Sequence, residues 1–409
     1  MNFPLFVARR IRQPQQATFS ATVSRVGVAS IALGVAVGIV AVAVLLGYKN
    51  TISQKIFLFG SHIQVNKISL NQSLEESALP LHTPAYDNWK NIPNVAHRQA
   101  VAHKPGILKT PDELQGVLLK GVGRDYDWAF LKQYLVAGKL IQFKDTAAYS
   151  NDIVVSQQIA TKLKLTIGQS VILYFVQDPP RARKLRVAGI YQTHVEEFDS
   201  QLILGDIALV QRLNNWGADS VGAYEFFVSD FGQINATAAQ ISSRLAYDVR
   251  VQPITKNPSF GPLFDWLSLL DTNTIVLLTL VLFVACFNIV SVLLVMVMER
   301  SPMIGLLKTL GSPNPQIRRI FWYVGLRIAV RGLLVGNALG LGLCWLQQRW
   351  GLIPLDPVSY YMNTVPIQFD WLIIGLLNLG VLTLVGLILL IPTVIISRVN
   401  PVEALIFKK

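Results

Sequence analysis

The chain has 409 residues, of which 52% are hydrophobic and only 15% are charged. Roughly a quarter of the residues in soluble globular proteins are charged, so this composition excludes an ordinary soluble enzyme. Four uncharged stretches approach or exceed the roughly 20 apolar residues needed to cross a bilayer, which indicates a membrane protein.

The net charge of +12 lies mainly beside these predicted spans. Residues 49–271 contain 22 Lys and Arg residues and 20 Asp and Glu residues, so this long segment is nearly neutral. Basic residues instead precede the first span, separate the second from the third and follow the fourth: Arg9, Arg10, Arg12, Arg25; Arg300, Lys308, Arg318, Arg319; Arg398, Lys408 and Lys409. The positive-inside rule places these three segments in the cytosol and residues 49–271 outside. Because the charge follows topology and anionic lipid, it argues against nucleic acid as a partner.

Residues 1–25 are predicted to form a cytosolic, amphipathic N-terminal segment. Within residues 2–13, five apolar side chains accompany three arginines, a pattern typical of a helix lying at the membrane interface. A frayed basic tail is the alternative interpretation.

Residues 26–48 are predicted to form the first transmembrane helix. Their apolar run is longer than the 7 to 15 residues of a signal peptide, so we expect an uncleaved anchor. Ser30, Gly34 and Gly38 recur every four residues. Small side chains at this spacing allow another helix to approach closely, which predicts packing against protein.

Residues 49–271 are predicted to form a large extracytoplasmic domain. Strand-like and helix-like runs are mixed along it, which favours an α+β fold, and its length suggests two lobes. Pro179 and Pro180 interrupt two strand-like runs and predict a loop, such as an exposed hairpin tip. The strand-like runs are 63–68, 116–119, 153–155, 171–176, 185–190, 201–204 and 224–228, and the helix-like runs are 156–165, 206–214 and 233–245.

Residues 272–298 form the second predicted span, and residues 299–319 a cytosolic helix and loop. The 27 uncharged residues of the span would extend about 40 Å as a helix, beyond the roughly 30 Å hydrocarbon core, so the helix should tilt or project into water. Asn288 lies in mid-span and is expected to bond a neighbouring helix.

The segment that follows carries helix signals at both ends. Ser301 fits an N-cap, Pro302 the first helical position and Gly311 a left-handed C-cap. Its apolar residues are predicted to gather on one side of the helix: Met303, Ile304, Leu306, Leu307 and Leu310. Such a helix could lie on lipid headgroups or fill a groove in a partner, and a plain connecting loop is the alternative.

The remainder of the chain is predicted to contain two more spans. Residues 320–348 form the third, in which Gly332, Gly336 and Gly340 repeat the small-residue spacing, and Arg327 and Arg331 are expected to reach the headgroups. Residues 349–371 form a short outer loop, 372–397 the fourth span and 398–409 the cytosolic C-terminus. The predicted fold is therefore four transmembrane α-helices with a large α+β domain between helices 1 and 2.

Motifs for chemistry are missing from the sequence. No G-x-x-x-x-G-K-[ST] phosphate loop, G-x-S-x-G elbow or H-E-x-x-H helix occurs, and the five histidines lack metal-ligand spacing. Both cysteines, Cys286 and Cys344, fall inside predicted spans. Glu196, Glu197 and Asp199 could supply a carboxylate pair, but a solvated surface cluster is the simpler interpretation. We expect a non-catalytic protein without catalytic, cofactor-binding or metal-binding residues.

Several stretches carry a resemblance to a known family. They are FVARRIRQ at 6–13, the small-residue-rich run at 30–56 with SHIQV at 61–65, the run at 156–175, the segment at 299–312 and SRVNPVEAL at 397–405. Together with the order of spans, these stretches resemble the permease superfamily that includes the cell-division permease and the macrolide-efflux pump. The resemblance is closest to the lipoprotein-releasing permease subunits, although much of the outer domain matches only loosely.

The resemblance implies a permease subunit of an ABC transporter in the inner membrane. A separate cytosolic ATPase dimer would bind ATP and Mg, a second permease, identical or paralogous, would complete the complex, and a periplasmic chaperone could receive released lipoproteins. Efflux of a peptide, antibiotic or other amphiphile, or mechanical signalling to cell-wall enzymes, are the alternatives. Met303 stands where the family often has an acidic residue. The residues that the resemblance assigns to ATPase coupling are Glu299, Arg300, Met303, Ile304, Gly305, Leu306, Leu307, Lys308 and Gly311.

Overall fold

The structure is a computed structural model that describes residues 19–68, 76–111, 113–143, 149–175, 177–258 and 260–390. The predicted interfacial helix at 2–13 and the C-terminal motif at 397–405 lie outside these residues. The chain divides into two compact units. The helical unit comprises Met1–Asn50, Leu267–Pro354 and Thr364–Lys409, and the sheet unit comprises Thr51–Trp266 and Leu355–Asn363.

Helices and strands follow one another along the chain in an order that places all strands between the first and the second long helix. In chain order the elements are α1 Phe19–Gly60, β1 Ile63–Lys67, β2 Leu79–Pro80, α2 Pro84–Asp87, β3 Val95–Lys109, β4 Leu114–Val122, α3 Ala129–Gln133, β5 Leu135–Gly138, β6 Asp152–Ser156, α4 Gln157–Lys162, β7 Ser170–Phe175, β8 Arg181–Tyr191, α5 Glu196–Asp199, β9 Leu202–Asp206, α6 Ile207–Leu213, β10 Ser220–Val221, β11 Ala223–Val228, α7 Ile234–Ser242, β12 Val249–Pro253, α8 Gly261–Glu299, α9 Ser301–Thr309, α10 Asn314–Trp350, α11 Pro357–Tyr360 and α12 Trp371–Ile388.

Among the residues that the structure describes, four helices, α1, α8, α10 and α12, are long and apolar enough to cross a membrane. The predicted fold, four transmembrane helices with an α+β domain between the first and the second in the chain, is confirmed. Both α1 and α8 extend further than the predicted spans, because each helix continues through the charged residues, Lys49 and Asp271, at which the uncharged runs end. At 39 residues, α8 is about 58 Å long, roughly twice the thickness of a hydrocarbon core.

Small residues bring α1 and α10 into close contact within the helical unit. A Cβ atom built on Gly332 would lie 2.7 Å from Ile31 Cβ, and one on Gly336 would lie 2.7 Å from the carbonyl oxygen of Ala32. Such distances leave no room for a side chain. At Gly340, the Cβ would lie 3.1 Å from Ala36 Cα. The three glycines of the third predicted span therefore face the first span.

The small residues predicted in α1 contact other helices. A Cβ on Gly34 would lie 3.4 Å from Val281 of α8, and one on Gly38 would lie 3.1 Å from Leu377 of α12. Ser30 Oγ accepts a hydrogen bond of 2.7 Å from Asn288 Nδ2. Asn288 thus bonds a neighbouring helix, as the sequence predicts, and α1 packs against each of the other three spans.

The sheet unit is built on one mixed ten-stranded sheet. Its order is β12-β1-β11-β3-β4-β9-β6-β8-β5, and β7 pairs with both β3 and β8. The pairs β4 with β9 and β6 with β8 are parallel, whereas the neighbouring pairs are mostly antiparallel. Each predicted strand-like run overlaps an observed strand, and the three helix-like runs correspond to α4, α6 and α7. Ser156 and Asp206 cap α4 and α6 by accepting backbone N–H bonds.

The sequence prediction missed the longest strand, β3. Its sequence contains Pro105 and Gly106, which are unfavourable in central strands. The structure accommodates them because β11 pairs with β3 up to Val101 and β7 pairs with it only from Ile107. Pro105 lies between these two pairings. On that edge of β3 no neighbouring strand would accept a bond from the N–H that proline lacks.

The predicted turn at Pro179 and Pro180 is confirmed. Strands β7 and β8 form an antiparallel hairpin whose last pair joins Phe175 to Arg181, and the prolines lie in the connection. The hairpin is anchored on one side by Arg181, whose guanidinium donates to the carbonyl oxygen of Leu213 at 3.0 Å.

Candidate functional site

The segment between α8 and α10 is the candidate site, and its helix begins one residue earlier than predicted. Arg300, not Ser301, is the N-cap, and Pro302 stands at the second helical position. The reason is that α8 ends at Glu299, so the carbonyl oxygen of Arg300 is free to accept the first bond of the new helix, from Ile304 N–H at 3.0 Å. Arg300 makes no side-chain capping bond.

Gly311 ends α9 as the sequence predicts. Its φ of +84° is in the left-handed region, and its N–H donates to the carbonyl oxygen of Lys308 at 3.0 Å. Ser312 N–H donates to the carbonyl oxygen of Leu307, also at 3.0 Å. These two bonds form a Schellman motif, which satisfies the last carbonyls of the helix and turns the chain towards α10.

The apolar residues of α9 lie within one arc of the helix, but they do not share one environment. Ile304 is fully buried, and Met303 and Leu307 pack against the same cluster of side chains. Leu306 and Leu310 are 53% and 74% exposed. At 100° per residue the five residues cover an arc of about 160°, and the helical unit covers only one side of that arc.

An exposed stripe therefore runs along the outer side of α9. It consists of Pro302, Leu306 and Leu310, which follow one another at intervals of four residues. Exposed apolar side chains on successive turns are typical of a helix that binds a groove in a partner. Sequence reasoning assigned only Leu306 of this stripe to the site, although the four-residue interval that links the three was readable.

The other residues assigned to coupling lie at different depths. Glu299 and Gly311 are exposed, and Arg300, Met303, Leu307 and Lys308 are partly buried. Ile304 and Gly305 are buried, so they face the protein and not the surface. The segment thus has an outer side that can contact a partner and an inner side that joins it to the helices.

The inner side of α9 belongs to the core of the helical unit. Ile304 lies in one cluster with Met296 and Val297 of α8 and with Ile317 and Phe321 of α10. Interiors of this kind are packed as densely as organic crystals, so they transmit displacement. Movement of α9 should therefore displace the adjoining ends of α8 and α10.

The helical unit also contains an apolar cavity of about 390 Å³. It lies between α1, α8 and α12, and small residues of α1 and α12 make room for it. Its lining includes Gly34, Gly38, Leu278, Ala285, Leu377 and Gly380. The lining is almost wholly apolar, which suits hydrocarbon and not a charged substrate.

The acidic residues near 196–199 do not form a solvated cluster, which corrects the sequence interpretation. Glu196 and Glu197 are exposed, but Asp199 is only 5% exposed. Its carboxylate accepts bonds from Thr193 N–H, Thr193 Oγ1 and His194 N–H at 2.8 to 3.3 Å. Burial raises the pKa of Asp199, and these hydrogen bonds oppose the rise. The carboxylate stabilises a turn and does not face Glu196 or Glu197 as a catalytic pair.

A second buried charge lies within the sheet. Lys120 of β4 is fully buried, and its Nζ donates to Glu225 Oε1 of β11 at 2.7 Å. Gln99 Nε2 of β3 donates to the other carboxylate oxygen at 2.6 Å. Both carboxylate oxygens of Glu225 are thereby hydrogen-bonded, as a buried ion requires. Within the described ranges no three His, Cys, Asp or Glu side chains are grouped as metal ligands would be.

Comparison with known proteins identifies the family. The family described as the MacB-like periplasmic core domain matches residues 28–246, more than half of the chain. The chain belongs to this permease family. The FtsX-like permease C-terminal family matches residues 275–401, so the two matches together extend from α1 to beyond α12. The predicted resemblance is confirmed, and the protein is an ABC-type permease with a periplasmic domain.

Relatives of this permease align along nearly the whole chain. The lipoprotein-releasing system transmembrane protein LolE of Haemophilus influenzae is 24% identical over 433 residues, which cover 99% of each chain. The LolC protein of Neisseria meningitidis serogroup B is 25% identical over 415 residues, which cover 97% of each chain.

Two solved outer domains are also similar to the permease. The extracellular domain of the ABC-type transporter YknZ from Gram-positive bacteria is 15% identical, with a TM-score of 0.33, and covers 46% of this chain and 98% of its own. The periplasmic region of MacB from Actinobacillus actinomycetemcomitans is 15% identical, with a TM-score of 0.35, and covers 48% and 91%.

Proposed function

We propose that this permease releases lipoproteins from the inner membrane of a two-membrane bacterium, driven by ATP hydrolysis on a separate polypeptide. The observation that carries the proposal is the exposed stripe on α9, on the side that the distribution of basic residues assigns to the cytosol. The choice of substrate is supported by relatives named for lipoprotein release, which align with the permease from end to end.

The ATPase would bind the exposed stripe. Leu306 and Leu310 offer apolar contact area on the exposed side of α9. ATP and Mg would bind to the ATPase, and this chain would hold no cofactor. A second permease, identical or paralogous, would supply the matching stripe for a dimeric ATPase.

Force would then pass from α9 to the long helices. Because Ile304 belongs to the same buried cluster as Met296 of α8 and Ile317 of α10, closure of the ATPase would displace both helices with α9. Helix α8 is continuous from Gly261 to Glu299, so displacement of its cytosolic end moves the whole rod. The sheet unit would use this movement to pass a lipoprotein to a periplasmic chaperone.

The proposal is tested by reconstituting the permease with the ATPase that co-purifies with it, in liposomes that contain a fluorescent lipoprotein. We expect ATP-dependent transfer of the lipoprotein to a soluble carrier, with none when a non-hydrolysable analogue replaces ATP. If ATP is hydrolysed and an amphiphilic drug moves while the lipoprotein stays in the bilayer, efflux replaces lipoprotein release as the function.

A further inference from the structure

Lys55, near the end of α1, is buried with 4% of its surface exposed. Its Nζ donates to the carbonyl oxygen of Thr193 at 2.5 Å and to that of Tyr361 at 2.5 Å. Lysine is almost never buried unless it is paired, because an ammonium loses its hydration. The side chain therefore connects three segments that are distant in sequence: α1, the turn before α5 and the loop between α10 and α12.

Both accepting carbonyls belong to unusual backbone. Tyr361 has a φ of +60°, and His194, which follows Thr193, has a φ of +62°. Bulky residues rarely adopt left-handed conformations and keep them only where their surroundings impose them. Each of these two turns thus places a carbonyl oxygen where Lys55 can reach it.

A buried anion accompanies the ammonium. Asp199 interacts electrostatically with Lys55, and it accepts bonds from Thr193 and His194 within the same turn. The carboxylate stabilises the turn whose carbonyl oxygen accepts the hydrogen bond from Lys55, and its charge offsets part of the cost of burying the ammonium. The ring of Tyr134 lies 5.6 Å from Lys55 Nζ and adds a cation–π contact.

The loop at 355–363 is held in the sheet unit by further contacts. Leu355 N–H donates to the carbonyl oxygen of Asn363 at 2.9 Å, which closes the loop on itself. Met362 is 6% exposed, and the Tyr361 ring packs against the buried cluster that contains Val195 and Phe198. Along the chain this loop joins α10 to α12, yet it is part of the sheet unit.

We infer that Lys55 is a latch that fastens the loop between the third and fourth spans to the outer domain, so that the domain is driven through this loop as well as through α1 and α8. The inference rests on the proposed function for its driving force. A loop that only had to connect two spans would need neither a buried cation from α1 nor a left-handed tyrosine. The latch is defined here as Lys55 with the carbonyl groups of Thr193 and Tyr361.

The latch is tested first by hydrogen–deuterium exchange on the full-length permease in complex with its ATPase. Lys55→Met keeps the length and volume of the side chain and removes its donors. We expect exchange at 193–199 and 355–363 to accelerate at least tenfold. Lys67→Met removes a lysine that is exposed and 3.9 Å from Asp248, and this control should leave both segments unchanged. Unchanged exchange in Lys55→Met would overturn the latch.

Coupling is tested in the same complex without any substrate. Trapping the ATPase with ATP and vanadate should change exchange at 355–363 in the wild-type permease, and Lys55→Met should abolish at least nine tenths of that change. If the loop loosens but still responds fully to trapping, the coupling role is wrong. This measurement can succeed even where liposomes release no lipoprotein, so failure of the proposed substrate is distinguishable from failure of the latch.

Transport gives the third measurement. Lys55→Met should retain ATP hydrolysis and lose at least tenfold in lipoprotein release, whereas Lys67→Met should lose neither. If Lys55→Met does not assemble, Lys55→Gln replaces it, because this change removes the charge and shortens the side chain by one bond while keeping it polar. Lys55→Gln should accelerate exchange at 193–199 and 355–363, and unchanged exchange in that variant would contradict the inference.

Discussion

Asn337 of α10 and Asn378 of α12 donate to each other's side-chain oxygen, with Nδ2 to Oδ1 distances of 2.6 and 3.0 Å. The two bonds join the third span to the fourth where lipid offers no alternative partner. The sequence prediction singled out Asn288 but neither of these residues. Interhelical hydrogen bonds in membranes contribute about 0.6 kcal/mol on average and up to about 2 kcal/mol.

Replacing either asparagine by leucine should therefore destabilise the helical unit by about 1 kcal/mol. The second replacement should cost little more, because the first already removes both bonds between the two side chains. A double-mutant cycle on unfolding in mixed micelles measures the coupling between the residues. Strictly additive effects of Asn337→Leu and Asn378→Leu would show that the pair contributes nothing as a pair.

Close packing of α10 on α1 predicts a large effect at one glycine and none at another. Gly336→Ala places its Cβ 2.7 Å from the carbonyl oxygen of Ala32, so the helices must separate at a cost of about 1 to 3 kcal/mol. Gly342→Ala lies in the same helix with nothing within 4 Å, and it should be neutral or stabilising. Thermal unfolding in detergent compares the two variants. Equal melting temperatures would contradict the packing argument.

Sequence patterns predicted the spans and most strands because those features depend on local composition. The uncharged runs located α1, α8, α10 and α12, and short apolar runs located strands such as β6 and β11. The division of α9 into two sides could not be read in this way. It depends on which part of a 160° arc the other helices cover, and that is a property of tertiary packing.

Buried polar residues were the least predictable part of the candidate sites. Asp199 stands beside two glutamates in sequence and so has the signature of a surface cluster, yet it stabilises a buried turn. Lys55 likewise has the signature of a residue that follows a membrane span. Its acceptors are backbone carbonyls 138 and 306 positions away. Since every residue has a backbone carbonyl, the sequence does not indicate which ones a lysine will contact.

The partly buried position of His62 leads us to expect that the sheet unit loses folding stability in acid. Its Nδ1 accepts a hydrogen bond from Val228 N–H at 2.8 Å, and its ring lies 4.0 Å from that of Phe57. Burial lowers the pKa of His62 to about 4, against about 6.5 in the unfolded chain. The folded state therefore binds the proton less well. Its stability is intact above pH 6.5 and falls by up to about 3 kcal/mol as the pH drops towards 4.

His62→Asn isolates this contribution, because asparagine can accept the Val228 bond but does not titrate near neutral pH. Unfolding of the sheet unit, followed by hydrogen exchange in the full chain between pH 7 and 4, should become less dependent on pH. His82→Asn is the control, since the His82 side chain is 70% exposed. The interpretation fails if His82→Asn removes as much of the pH dependence as His62→Asn does.

A substitution at Leu306 tests binding of the ATPase to α9 without disturbing the packing of α9 on the other helices. Leu306→Asp changes the exposed stripe, and we expect it to weaken ATPase binding at least tenfold, about 1.4 kcal/mol, with little change in folding. Gly305→Asp is a poorer probe because Gly305 is buried, so that variant should lower the melting temperature as well. Leu114→Asp is the matched control, since Leu114 is 60% exposed on the sheet unit. Recovery of equal amounts of ATPase with Leu306→Asp and Leu114→Asp permease would remove the stripe from the docking site.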